Sequence, residues 1–196
     1  MQFVLATHNP GKIREMSAIL ERFGIEVVTP KDLGITVDVE ETGTTFAENS
    51  MLKAKAICEL ANLPAIADDS GLCVDALNGA PGVYSARYGG EGLDDVGRYR
   101  LLLENLKGQP TRAAHFACAI ACAFPNGDTI TAEGQVKGTI AFAPMGEGGF
   151  GYDPVFFYPE LAKTFGQLTQ EEKSAISHRG RAMEDFVAKL ETYLNQ

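Results

Sequence analysis

The chain has 196 residues, a mass of 21.0 kDa and an apolar content of 45%, which is enough to build a substantial buried core. Its 17 basic and 26 acidic residues give a formal charge of -9, so we expect no nucleic-acid partner, because such binding depends on neutralising phosphates with Lys and Arg. An anionic ligand would need local help from a few lysines, from backbone N–H groups or from a divalent metal.

The first part of the chain predicts strands alternating with helices. Residues 1–6 are an apolar run that predicts a strand, and the polar loop THNPGK leads into a helix that Gly24 ends. IEVVT at 25–29 predicts the next strand, and the alternation of apolar and polar residues over 35–40 predicts a half-exposed one. Thr45 and Glu48 form a capping box that opens a second helix. The apolar face predicted for that helix consists of Phe46, Leu52, Ala56, Ile57 and Leu60.

Further along, LPAIA predicts a strand that ends at Asp68 and Asp69, and CVDAL at 73–77 predicts a separate short strand. The glycine-rich stretch 78–92 predicts a functional loop. A helix near 94–106 leads to two long strands joined by PNGD, which is a strong hairpin signal, and a final amphipathic helix runs to Leu194. This order predicts an α/β fold of mixed α+β character, with a long mixed sheet shared by two lobes and polar strand ends meeting in the cleft between them.

Two further features bear on location. The first ten residues lack the basic start and the apolar core of a signal peptide, and the most apolar stretch, 113–124, is too short to cross a bilayer. The cysteines at 58, 73, 118 and 122 form no C-x-x-C pair, which favours reduced thiols in the core. We therefore expect a cytoplasmic protein with no membrane contact.

The loop THNPGK is the first candidate for ligand binding. It differs from the phosphate-binding P-loop, which would require Gly at position 6 and Ser or Thr at 13, where this chain has Ala and Ile. The N–H groups of a helix start, the side chains of Thr7 and Asn9 and the charge of Lys12 still suit a phosphate. The alternative is an ordinary helix start that Asn9 caps, with Lys12 in solvent.

Carboxylates form the second candidate: Glu40 and Glu41 end one predicted strand, and Asp68 and Asp69 end another. Two carboxylates at a strand end can coordinate Mg²⁺ while a third takes a proton from an attacking water, as the hydrolysis of phosphate esters and anhydrides requires. The alternative is that DDSG is simply a turn, since Asp, Ser and Gly favour turns.

Two clusters in the second half of the chain are candidates for binding the rest of a ligand. In GEGGFGYDP (146–154), glycines let the backbone approach a flat ligand, and Phe150 or Tyr152 could stack on a base; the alternative is a mobile loop closed by a buried aromatic ring. In EEKSAISHRG (171–180), Lys173, His178 and Arg179 lie close together in an acidic chain, as in a receptor for an anion or a carbonyl group.

Taken together and in this order, these segments resemble the inosine triphosphate pyrophosphatase family, which hydrolyses non-canonical purine nucleoside triphosphates. The resemblance covers the whole chain, 1–196, as a single nucleoside triphosphate pyrophosphatase domain. It is carried by the segments THNPGK (7–12), EETGTTFAENSMLKA (40–54), LPAIADDSGL (63–72), GAPGVYSARY (79–88), GGFGYDPVF (148–156) and EEKSAISHRG (171–180).

The resemblance implies Mg²⁺-dependent hydrolysis of ITP, dITP and XTP to the monophosphate and pyrophosphate, by a homodimer with its active site in the cleft between the lobes. It implies that Asp69 is the proton acceptor and a metal ligand, with Glu41 and Asp68 in the metal shell. The residues it implies for substrate binding are Thr7, His8, Asn9, Gly11, Lys12, Lys53, Ser70, Phe150, Gly151, Tyr152, Asp153, Lys173, His178 and Arg179.

Two other functions remain open at this point. One is a nucleotide-binding regulator that keeps the fold and has lost turnover, although the intact set of Lys12, Glu41, Asp68 and Asp69 favours an enzyme. The other is a phosphatase acting on monophosphates or a general nucleotide pyrophosphatase. An aspartyl-phosphate route lacks support, because the two aspartates are adjacent and do not form a D-x-D-x-[TV] motif.

Overall fold

The structure is a computed structural model that describes residues 2–195. Its strands are β1 (Gln2–Leu5), β2 (Glu26–Val28), β3 (Ala65–Val74), β4 (Ala113–Ala123), β5 (Thr129–Ile140), β6 (Phe156–Tyr158) and β7 (Lys163–Thr164). Its α-helices are α1 (Pro10–Arg22), α2 (Phe46–Ala61), α3 (Asp95–Asn105), α4 (Gln170–Ile176) and α5 (His178–Leu194), and short 3-10 helices lie at Lys31–Leu33, Asp75–Leu77, Gly82–Arg87, Pro159–Leu161 and Phe165–Gln167.

The strands form one mixed sheet in the order β2-β1-β3-β4-β5-β6-β7. β1 pairs in parallel with both β2 and β3, whereas β6 pairs antiparallel with β5 and β7. The predicted α/β class with a mixed sheet is therefore confirmed. None of the helices within residues 2–195 combines the length and apolar character that crossing a membrane would require.

The chain divides into two compact units, which we call unit 1 (1–69, 118–134 and 178–196) and unit 2 (70–117 and 135–177). In unit 1, a core of buried residues from α1, α5 and the sheet includes Leu5, Ile66 and Phe186, and a second core packs α2 through Ala54 and Ile57. In unit 2, the core is rich in aromatic rings, with Phe116 tilted against Phe156.

Most of the predicted elements are present because their local signals agree with their tertiary packing. Thr45 and Glu48 form the reciprocal capping box at the start of α2, and the Asn126-Gly127 pair lies in the turn between β4 and β5, where Gly127 has a φ of +93°. The glycine-rich segment 78–92 is also ordered in part, since it contains the 3-10 helix Gly82–Arg87.

The interpretation of DDSG as the end of a strand, and its alternative as a turn, are both wrong. β3 continues without interruption from Ala65 to Val74, so that Asp68 and Asp69 lie within the strand. The separate short strand predicted at 73–77 is also wrong, because its first two residues end β3 and Asp75–Leu77 is a 3-10 helix. Neighbouring residues in a strand point to opposite faces of the sheet. The two carboxylates therefore enter different surroundings.

Two smaller predictions are also wrong. No strand forms at 35–40, where Val37 is exposed, while Ile35 and Val39 pack as irregular chain against the core that includes α2. In α2 itself Leu52 and Leu60 are exposed, whereas the buried face carries Asn49, Ser50, Ala54, Ile57 and Cys58. The apolar period misassigned this face because part of it, Asn49 and Ser50, is polar.

Candidate functional site

Two lysines meet three carboxylates in unit 1. The ammonium of Lys12 lies 3.2 Å from Oδ1 of Asp68. The ammonium of Lys53 lies 2.7 Å from Oε1 of Glu41 and 3.9 Å from Oδ1 of Asp69, and it donates to the backbone carbonyl of Asp68 at 2.8 Å. We call these five residues the unit 1 cluster; they were all predicted as site residues, and the structure brings them together.

The start of α1 positions Lys12. Asn9 is the N-cap, and its Oδ1 accepts hydrogen bonds from the N–H groups of Gly11 (2.9 Å) and Lys12 (3.2 Å). Thr7 accepts from the N–H of Asn9 at 3.2 Å, so the loop is held by its own side chains, and His8 is exposed. The capping role considered as an alternative for Asn9 is therefore present, but Lys12 is half-buried and paired with Asp68 rather than solvated.

The start of α2 positions Glu41 and Lys53. Oε2 of Glu48 accepts from the N–H groups of Thr44 (2.7 Å) and Thr45 (3.2 Å), which ties the segment after Glu41 to the first turn of the helix. Lys53 then leaves the helix one turn after Asn49, on the same face. The N–H of Gly43 donates to Oδ1 of Asn49 at 2.8 Å, which adds a second tie between this segment and α2.

Asp68 is fully buried among cations. Its Oδ2 accepts hydrogen bonds from Nε and Nη2 of Arg179 at 3.2 and 3.0 Å, while Oδ1 faces Lys12. The same guanidinium also pairs with Glu15 of α1. Arg179 is itself only 2% exposed, so three charged side chains form a continuous buried network on the face of the sheet that packs against α1 and α5.

Asp69 lies on the opposite face of β3, which packs against α2. Its Oδ2 accepts a hydrogen bond from Nδ2 of Asn49 at 3.1 Å. Asn49 was not selected from the sequence, and neither was Glu15. The available signal for Asn49 was its spacing, since a residue four positions before Lys53 lies on the same face of the helix.

The surroundings of the two aspartates shift their acidities in opposite directions. Burial tends to raise the pKa of both. For Asp68 the charges of Lys12, Arg179 and Lys53 outweigh burial and hold the pKa well below its usual range. For Asp69 burial prevails over Lys53 and Lys12, and nearby Glu41 adds to it, so the pKa is raised. Asp69 is therefore the more basic carboxylate of the pair.

The donor set of the unit 1 cluster fits a hard divalent cation. With Arg179 and Glu15 included, three cationic side chains face four carboxylates, which leaves negative charge in excess. Asp69 and Glu41 both approach the ammonium of Lys53, so their oxygens share one region. No group of three or more His, Cys, Asp or Glu side chains within the described residues could hold a metal ion alone. Two carboxylates suit Mg²⁺, which commonly takes its remaining ligands from water and substrate phosphates.

In unit 2, the predicted residues Phe150, Asp153 and Lys173 form a second group, which we call the unit 2 cluster. The ammonium of Lys173 lies 2.6 Å from Oδ2 of Asp153 and 4.8 Å from the centre of the Phe150 ring. The same carboxylate oxygen accepts from the N–H of Phe150 at 2.9 Å. Since Lys173 and Asp153 are both almost fully buried, this is a fixed arrangement of an ammonium against an aromatic face.

The remaining predicted residues of unit 2 are anchored nearby. The hydroxyl of Tyr152 donates to the carbonyl of Ser85 at 2.7 Å, and the N–H of Gly151 donates to Oδ2 of Asp95 at 2.8 Å. Tyr152 is buried in the aromatic core, as the alternative of a buried ring proposed, whereas the ring of Phe150 is half-buried. Ser70 follows Asp69 in β3 and is half-buried.

His178 and Arg179, which the sequence grouped with Lys173, belong to unit 1. Both begin α5, and both are buried. The Arg179 side chain is engaged with Asp68 and Glu15, as described above. The prediction grouped the three basic residues because they are close in the sequence. The boundary between the units falls between Ser177 and His178, so Lys173 belongs to unit 2.

Comparison with known proteins identifies relatives over almost the whole chain. The sequence profile of the Ham1 family matches residues 3–189. A dITP/XTP pyrophosphatase of an Exiguobacterium species is 47% identical over 97% of each chain, and one of Bacillus subtilis is 48% identical over 96% of each. The solved structure of the Staphylococcus aureus Ham1 protein is 44% identical, with a TM-score of 0.88 over 98% of this chain and 100% of that one.

Proposed function

The chain belongs to the Ham1 family, and on that premise we propose that it hydrolyses the non-canonical purine nucleoside triphosphates dITP, XTP and ITP. The products are the nucleoside monophosphate and pyrophosphate, so the enzyme cleanses the nucleotide pool. The names of the relatives and their coverage of nearly the full chain support this proposal. The observation that best supports hydrolysis is the unit 1 cluster, where Lys12 and Lys53 lie beside Asp69, a buried carboxylate with a raised pKa.

In the proposed reaction Asp69 is the proton acceptor. A water molecule attacks the α phosphorus, its proton passes to the carboxylate, and the bond from that phosphorus to the bridging oxygen of the pyrophosphate breaks. A raised pKa suits this role, because a general base is most effective when its pKa approaches the working pH. Asp68 cannot compete for the proton, since its neighbouring cations hold its pKa low.

Phosphate binding is assigned to the lysines and to the start of α1. Lys12 and Lys53 are already fixed by carboxylates before any ligand arrives, which reduces the entropy lost when a triphosphate binds. The helix start adds the positive end of its dipole and the side chains of Thr7, His8 and Asn9. Ser70 follows the proton acceptor and is assigned to substrate contact.

We assign Mg²⁺ to the carboxylates of Asp69 and Glu41. Asp68, on the opposite face of β3, is assigned to the outer part of the metal shell. When bound, the ion would supply the positive charge that allows a triphosphate to lie beside carboxylates and would stabilise the departing pyrophosphate. Of Glu41 and Asp68, Glu41 is the better direct ligand for the ion, because the carboxylate oxygens of Asp68 face Arg179 and Lys12.

The base and sugar are assigned to the unit 2 cluster with Gly151 and Tyr152, and to His178 and Arg179. Phe150 offers an aromatic face, and Lys173 offers a buried donor held by Asp153. A donor suits the 6-oxo group of hypoxanthine or xanthine, whereas adenine presents an amine at that position. ATP would place its amine donor against this ammonium donor, and the penalty for that mismatch gives a site of this kind its discrimination.

We also propose that the chain acts as one nucleoside triphosphate pyrophosphatase domain over 1–196, as a homodimer in the cytoplasm. The match to the family over residues 3–189 supports a single functional domain. The dimer and the cytoplasmic location follow from the family resemblance, and the location also agrees with a substrate drawn from the nucleotide pool.

The direct test is to incubate the purified protein and Mg²⁺ with ITP, XTP, dITP, GTP and ATP and to identify the products. We expect rapid release of pyrophosphate from ITP, XTP and dITP and slow reaction of ATP. Orthophosphate in place of pyrophosphate would contradict the reaction, and equal rates on ITP and ATP would contradict the selectivity. Tight binding of ITP without any turnover would favour the regulator.

A further inference from the structure

Asn49 occupies a buried position between the segment that carries Glu41 and the strand that carries Asp69. It is 0% exposed on the second turn of α2. Its two polar atoms contact two different partners: Oδ1 accepts from the N–H of Gly43 at 2.8 Å, and Nδ2 donates to Oδ2 of Asp69 at 3.1 Å. A fully buried amide on the face of a helix is costly unless its polar atoms are paired, and here both are.

The orientation of this amide is fixed by its partners. The N–H of Gly43 can only donate, so the atom of Asn49 that faces it must be the oxygen, and the NH₂ group must then face Asp69. Gly43 also has no room for a side chain, because a Cβ there would lie 2.6 Å from Oδ1 of Asn49 and 2.7 Å from Cβ of Glu48. The close approach of the two segments therefore depends on the small size of Gly43.

The hydrogen bond selects which oxygen of Asp69 is turned toward the lysine. Oδ2 is held by Asn49, and Oδ1 is the oxygen that lies 3.9 Å from the ammonium of Lys53. An amide is suited to this task because it donates a hydrogen bond without adding charge. A cationic donor at the same place would add a further positive charge beside Lys53, which already lies 3.9 Å from the other oxygen of this carboxylate.

We propose that Asn49 is a positioning residue, which orients the carboxylate of Asp69 for proton transfer and locks it to the segment bearing Glu41. The inference rests on the proposed function, since it concerns the turnover step and not the binding of substrate. Loss of the amide leaves Lys12 and Lys53 in place, so the triphosphate still binds, but the carboxylate can rotate away from the attacking water. Misplacement of a reacting group by about 1 Å can lower a rate by about a hundredfold.

The test compares Asn49→Ala, Asn49→Ser and Asn49→Asp with Ser50→Ala, by measuring kcat and KM for ITP together with the thermal midpoint. Ser50 is a matched control because it is buried on the same turn, but its hydroxyl donates to the carbonyl of Ala47 within the helix. We expect kcat to fall about a hundredfold in all three Asn49 variants, with KM within about threefold of wild type. Ser50→Ala should change neither. Asn49→Ser keeps a polar group in the cavity and serves as the neutral variant if Asn49→Ala fails to fold.

Several results would overturn the inference. One is a folded neutral variant whose kcat stays within about threefold of wild type, against the hundredfold loss expected from misplacement. A rise in KM at constant kcat would make Asn49 a binding residue, and an impaired Asn49→Asp beside a fully active Asn49→Ala would reveal a charge effect. An equal loss in Ser50→Ala would show a general defect of the helix. Wild-type protein that does not hydrolyse ITP would instead refute the proposed function, and the inference with it.

Discussion

Replacing Arg179 with Met should strongly destabilise unit 1. The guanidinium of Arg179 links Asp68 and Glu15 in one buried network. Its donor–acceptor distances to Asp68 are 3.2 and 3.0 Å. Methionine fills a similar volume and removes the charge. The two carboxylates then lose their shared cation while they remain in a region where Asp68 is 0% and Glu15 is 4% exposed.

The expected loss follows from the cost of breaking a buried ion pair, which is about 3–5 kcal/mol when one partner is removed. Asp68 retains Lys12 at 3.2 Å, so part of its negative charge is still balanced. We therefore expect a loss of about 3 kcal/mol, at the lower end of that range. The double variant Glu15→Gln with Arg179→Met should recover about 1 kcal/mol or more, because it removes one of the two carboxylates that the guanidinium balanced.

The assay is equilibrium unfolding in urea at neutral pH without nucleotide, so that any role of Arg179 in substrate binding does not contribute. Arg181→Met is the matched control, because Arg181 is exposed on the same helix two residues later. It should change the free energy of unfolding by no more than about 0.5 kcal/mol. The comparison requires similar m-values for all variants, since a changed slope would indicate a changed unfolded or native state.

Two results would refute this reasoning. If Arg179→Met unfolds within about 1 kcal/mol of wild type, the buried network does not contribute as the burial and distances imply. If the Glu15→Gln and Arg179→Met double variant is less stable than Arg179→Met alone, the unpaired charge of Glu15 does not destabilise the folded protein when the guanidinium is absent.

Three further predictions concern residues in or next to the two clusters. Lys12→Ala should raise KM for ITP with a smaller effect on kcat, measured by steady-state kinetics, and an unchanged KM would count against phosphate binding at this loop. Asp69→Asn should nearly abolish turnover while calorimetry still detects nucleotide binding; activity near wild type would place the proton acceptor elsewhere. Gly149→Ala should unfold at a lower temperature than Gly151→Ala. Both glycines have positive φ, at +73° and +61°, but only the methyl group at 149 would overlap the carboxylate of Asp153.

Much of the fold could be read from the sequence because its local signals are strong and agree with the tertiary structure. The capping box of α2 and the Asn126-Gly127 turn depend on residues within a few positions of one another. The strand predicted at 35–40 is absent because alternation alone does not provide a neighbouring strand to pair with. The buried face of α2 was misassigned because Asn49 is buried for its hydrogen bonds, which a hydrophobic pattern does not detect.

The sequence alone determined which chemical groups this chain holds: adjacent aspartates after an apolar run, a lysine at a helix start and another lysine on the second helix. Only the tertiary structure decided how the adjacent aspartates differ. Because β3 continues through Asp68 and Asp69, their side chains leave opposite faces of the sheet. Asp68 meets Arg179 and Lys12 and has a lowered pKa, while Asp69 meets Asn49 and Lys53 and has a raised one. Those partners are distant along the chain, so local sequence could not assign the two roles.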